Sequence, residues 1–126
     1  MTTAYELADL IAGALEGTAT GVVAARWEGP ADQLATPAVG VTPGDPWLET
    51  GRLQGCARAR WTCALALGRW DAPASLALAQ AAYLAALPLI IALEEFVAVE
   101  PLSAPFPESI GGVPTLVARF SVTLST

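Results

Sequence analysis

Apolar and polar positions along the chain change period several times, and each change marks an element. From about Thr3 to Glu16, Tyr5, Leu7, Leu10, Ile11, Ala14 and Leu15 recur near helical spacing while Glu6, Asp9 and Glu16 fall on the opposite side. The pattern predicts an amphipathic helix, capped at Thr2 or Thr3 with Glu6 three residues after Thr3, and stopped at Gly17. Arg26-Trp27-Glu28-Gly29-Pro30 reads as a loop. Ala38 to Thr42 is a short apolar strand that the Pro-Gly and Asp-Pro pairs of PGDPW are expected to end. A polar, Gly-rich arm follows, covering about residues 43–56.

From Ala57 to Gly68 the period becomes two. Trp61, Cys63, Leu65 and Leu67 point one way, and Arg60, Thr62, Ala64 and Ala66 the other, a strand whose second face is small enough to be covered too. Asp71 and Pro73 announce a helix through Ala74–Leu87. Pro88 is expected to bend or restart it, with Leu89 to Glu95 adding up to two turns. Phe96–Glu100 reads as a short strand, Pro101–Pro107 as a link and Gly111-Gly112 as a turn. Leu116 to Leu124 then alternates, with Leu116, Ala118, Phe120, Val122 and Leu124 on one face. The order α-β-β-α-β-β predicts a single α+β domain: one antiparallel sheet, with mixed pairing possible, of about four strands and two main helices on one face.

Composition narrows what such a domain is for. The 126 residues include 54% apolar but only 14% charged residues, which excludes disorder and leaves little charge to cover a monomer's surface. A net charge of −6 argues against nucleic acid as the main partner. The chain has no His, hence neither the commonest general base nor the commonest metal ligand. Cys56 and Cys63 fall within one strand region, where an extended backbone disfavours a disulfide between them, and two thiols alone do not make a zinc site, so both read as small apolar core residues. No cofactor site is expected. The uncharged run Ala72–Leu93 is long enough to be weighed as a membrane span. Its alanines, Ser75, Gln80 and Pro88, and the strands on both sides, favour a helix packed in a core or between subunits.

Candidate chemistry is sparse. Asp45 and Glu49 flank Trp47 as a carboxylate pair would, although a solvated turn accounts for them. Arg58 and Arg60 share one strand face, with Arg52 close by in sequence, and Arg suits ion pairs with acids of this or a neighbouring chain. Trp47 and Trp70 occupy loop positions, where exposed aromatics anchor interfaces. Asp45, Trp47, Glu49, Arg52, Arg58, Arg60 and Trp70 are therefore the candidate contact residues, and no catalytic or metal-binding set emerges.

Taken together, PAVGVTPGDPWLE, GRLQGCARARWTCALALGRWDAPASLALAQ and the closing GGVPTLVARFSVTLS strand resemble small tail and neck proteins of tailed bacteriophages. The chain is most similar to tail-terminator and head–tail joining proteins of long, non-contractile-tailed phages of actinobacteria. The resemblance implies a ring, typically of six copies, that ends the tail tube and joins it to the neck. Its partners would be other copies of itself, the major tail-tube protein and the connector or stopper proteins, at the head–tail junction of the virion, with genomic DNA passing through the lumen without specific binding. It implies no catalytic residue and no membrane. It points to the 43–56 arm and the sheet edges as subunit contacts. A connector or stopper role is the alternative within the family, and a membrane-bound lysis factor the alternative outside it.

Overall fold

The computed structural model describes residues 4–18, 25–27, 38–50, 57–68, 72–110 and 113–125. Helix α1 (Ala4–Thr18) is followed by strands β1 (Ala25–Trp27), β2 (Ala38–Thr50) and β3 (Ala57–Gly68), helix α2 (Ala72–Ile91), and strands β4 (Phe96–Val99), β5 (Phe106–Ile110) and β6 (Val113–Ser125). The strands form one sheet in the order β1-β2-β3-β6, with β4 and β5 both paired to the far side of β6. All pairs are antiparallel except β1 with β2. The fold is α+β with a single sheet.

Alternation decides the core. Cross-strand rows Val39–Leu65–Ala118 and Val41–Cys63–Phe120 lie on the face that meets the helices. Leu7, Ile11 and Leu15 of α1 and Ala79, Ala82, Ala86 and Ile90 of α2 close over them. Helix α1 lies against β2 and β1, and α2 against β3, β6 and β4. The opposite face carries the rows Ala38–Ala66–Val117, Gly40–Ala64–Arg119 and Thr42–Thr62–Ser121. Ala38, Ala66 and Val117 are fully buried there, so the expectation of a covered second face holds at this end of the sheet.

Several local expectations are corrected. Helix α1 continues through Gly17, and Arg26-Trp27 belongs to a short strand, not a loop. Strand β2 does not end at Thr42: it runs through the prolines to Thr50, so the first half of the expected arm is strand. The physical reason is its place at the edge. Among the described residues only β1 pairs with that edge, at Ala38–Gly40, and a proline on an unpaired edge breaks no ladder bond. Pro88 does not divide α2, which is one helix to Ile91. The proline lies on the exposed side. Ala92 re-enters the pattern by donating its amide to the Pro88 carbonyl at 3.1 Å. The Pro101–Pro107 link is largely a continuation of the sheet. Glu100 donates to the Ser121 carbonyl at 2.8 Å and Ser103 to that of Arg119 at 2.8 Å, before β5 resumes pairing at Phe106. Residues 96–110 thus form one interrupted edge strand.

Candidate functional site

The site grows from an irregularity in the β2–β3 pair. Pro43 faces Trp61 and Leu48 faces Ala59, so residues 44–47 are set against Arg60 alone. Four residues opposite one force the backbone outward and swing Trp47 off the sheet edge. The peptide bond between Asp45 and Pro46 in this bulge is cis. Gly44 lies hard against Arg60: a Cβ there would come within 2.8 Å of the Arg60 Cγ and 3.0 Å of its carbonyl oxygen. The bulge fits because that position has no side chain.

Trp47 meets Trp61 edge-on, with ring centroids 5.8 Å apart, yet stays 44% exposed. Trp61 is tied to the core, so the outer ring is held in place without being covered. Leu48 beside it is 53% exposed. On the face away from the helices, Pro46, Trp47, Glu49, Arg58, Arg60 and Thr123 enclose a cleft of about 60 Å³, room for a carboxylate-sized group. Arg60 is already committed, its guanidinium 2.5 Å from a Glu100 carboxylate oxygen. Arg58 lies opposite Glu49 in register but makes no ion pair among the described residues.

Of the seven sequence candidates, the structure brings Trp47, Glu49, Arg58 and Arg60 together, with Asp45 exposed on the bulge beside them. Arg52 and Trp70 lie outside the described residues, as do Cys56 and the Gly111-Gly112 turn. Thr123 and Glu100 were missed. They reach the site only because β6 pairs with β3 and the interrupted edge strand with β6, and no local pattern in the sequence signals that convergence.

A second surface lies on α2. The buried stripe of this helix is Ala79, Ala82, Ala86 and Ile90, at spacings of three and four. Ile90 is the one large residue in that stripe, with Leu78 and Tyr83 packed against the core, whereas Leu76, Leu84, Leu89 and Ile91 are each about half exposed. The helix expected to be covered all round is therefore covered on one side. Its exposed side is apolar, with no charged residue between Ala72 and Ile91. Among the described residues no helix is long and apolar enough to cross a membrane, and α2 spends one face on the sheet.

The remaining polar contacts brace the far edge. Arg119 places a guanidinium nitrogen 2.5 Å from Glu108 and stacks 5.1 Å above the Phe106 ring. Tyr83 of α2 donates its hydroxyl to the Glu100 carbonyl at 3.2 Å and sets its ring edge-on to Phe120. Burial pushes the Cys63 thiol from 9.0 up to about 12, which marks it as packing and not as a nucleophile. Among the described residues no group of three or more His, Cys, Asp or Glu could hold a metal ion.

Comparison with known proteins adds no relative: no protein-family model matches the chain, and no curated protein matches it significantly.

Proposed function

We propose that this chain is a structural subunit that assembles with copies of itself into a ring at the head–tail junction of a tailed phage, in the manner of a tail terminator. The observation that supports assembly is the outer face of α2, which leaves Leu76, Leu84, Leu89 and Ile91 about half exposed while its buried stripe is mostly alanine. A helix serving only its own monomer gains more by turning its leucines inward. The phage setting rests on the sequence resemblance alone.

Magnitudes favour several contacts over one. Covering a half-exposed Leu or Ile gains on the order of 1 kcal/mol, so the four on α2 supply about 4 kcal/mol. Association costs about 4–15 kcal/mol, which that gain alone does not clearly exceed. The Trp47–Leu48 surface must contribute as well, and closure of a ring adds contacts without adding free ends.

The test is sedimentation and electron microscopy of the purified protein, alone and with tail tubes of the source phage. Closed rings, or monomers that cap tube ends, are the expected result. A chain that stays monomeric at high concentration and ignores the tubes rejects the proposal. Binding to portal or adaptor proteins and never to the tube moves the assignment to a stopper or connector.

A further inference from the structure

Resting on that reading, we infer that the subunit contact runs head to tail, the bulged β2–β3 arm of one copy seating on the C-terminal end of α2 in the next. The arm offers two exposed apolar side chains, Trp47 and Leu48, beside Arg58, a cation across from Glu49 that makes no ion pair among the described residues. The end of α2 offers the complement: Leu89 and Ile91 are exposed, and three residues on lies Glu94, an exposed acid with no ion pair among the described residues. The cleft beside Arg58 has room for that carboxylate.

Placement in the fold makes the pairing intermolecular. Leu48, Ala59, Leu124 and Phe96 form one row across β2, β3, β6 and β4. The arm thus stands at one lateral edge of the sheet and the α2–β4 junction at the other, three strand spacings or about 14 Å away. Both halves lie at the same level along the strands. Two different surfaces meeting make a heterologous contact, which repeats from copy to copy and closes into a ring where the rotation between neighbours completes a full turn.

Strand addition is the competing mode, and the edges oppose it. Pro43 and Pro46 interrupt the outer edge of β2, and Pro101, Pro105 and Pro107 the outer edge of residues 96–110. At the level of the arm, edges so furnished do not template a neighbouring strand; the edge strand β1, which carries no proline, pairs only with the other end of β2. Contact through side chains, arm to helix, is what they leave.

Charge reversal tests this directly. Arg58→Glu and Glu94→Arg should each weaken self-association by about tenfold or more, measured by sedimentation velocity, with unchanged circular dichroism and thermal midpoint because both side chains are exposed. Mixing the two variants one to one should restore association, since alternating copies re-create opposite charges at every contact. Failure of the mixture to recover, or indifference to both reversals in a wild-type protein that assembles, overturns this contact and leaves the assembly reading standing. A wild-type protein that never self-associates overturns both. As an independent arm, Leu48→Cys with Ile91→Cys in a Cys56→Ser background should give a ladder of covalent oligomers on oxidation. Products that stop at the dimer, or none beyond the monomer, overturn the head-to-tail arrangement.

Discussion

At Cys63 a single side chain couples packing to pH. It is wholly buried between Val41 and Phe120, and its thiol is held at about 12 because the thiolate cannot be solvated there. The folded state therefore binds this proton more tightly than the unfolded chain does. The stabilisation is complete below pH 9 and is lost as pH rises from 9 toward 12, at up to about 1.4 kcal/mol per pH unit. Urea denaturation across that range should show the slope, and Cys63→Ala should flatten it. In native protein the Cys63 thiol should resist a thiol reagent at pH 8 and react on unfolding. Gly44 is the other position where one atom matters. Gly44→Ala drives a methyl group into Arg60, so a loss of about 1–3 kcal/mol is expected, with the Arg60–Glu100 pair displaced. Chemical denaturation measures the first effect. If Gly44→Ala is as stable as wild type, the close fit of the bulge is not what fixes its shape.

Among the elements, α2 and β2 divide what local sequence reveals from what it conceals. The alternation of Leu116 to Leu124 and of Trp61 to Leu67 was legible because one face of each strand is apolar and strongly buried. Both helices were legible from their starts and composition. The orientation of α2 was not, because leucine and alanine lie on both sides and leave no polar stripe to read. The deciding signal is size: alanines at 79, 82 and 86 let the helix approach its neighbours closely. The prolines of β2 signal a stop in the sequence, whereas among the described residues its outer edge has no ladder to break beyond Gly40. The arm cleft was half legible. Its own strands supply Trp47, Glu49, Arg58 and Arg60, but Thr123 arrives from 63 residues beyond Arg60 through sheet pairing alone. The alanine stripe also makes a prediction at this scale. Ala82→Leu should cost about 1–3 kcal/mol of monomer stability by overpacking. Leu84→Ala should change stability by under about 0.5 kcal/mol yet weaken assembly. Equal effects of the two on stability would deny that the outward face is spare.

For the whole molecule, the distribution of charge and proline channels how copies can meet. Two of the arginines on the sheet face away from the helices are neutralised within the chain, Arg60 by Glu100 and Arg119 by Glu108. These partly exposed pairs contribute little to stability, about 0–1 kcal/mol each, but they silence that face electrostatically. Among the described residues Arg58 and Glu94, like Asp45 and Glu49, are exposed charges outside those pairs. With prolines on the outer edge of β2 beyond Gly40 and on that of residues 96–110, a chain this apolar has few ways to associate through its backbone at the level of the arm and is directed there to specific side-chain surfaces.

The edge-on tryptophans carry a consequence of an optical kind. Trp61 is anchored in the core while Trp47 faces water, so the two indoles sit in contrasting surroundings 5.8 Å apart. In a Trp27→Phe, Trp70→Phe background, emission should shift to the blue when a neighbouring copy covers Trp47, and the near-ultraviolet dichroism of the coupled pair should change with it. Dilution should reverse both signals at the concentration where sedimentation reports dissociation, and a spectrum unchanged across that concentration would remove the arm from the contact. The bulge that swings Trp47 outward thereby equips the chain with an intrinsic gauge of its own assembly, readable without a label.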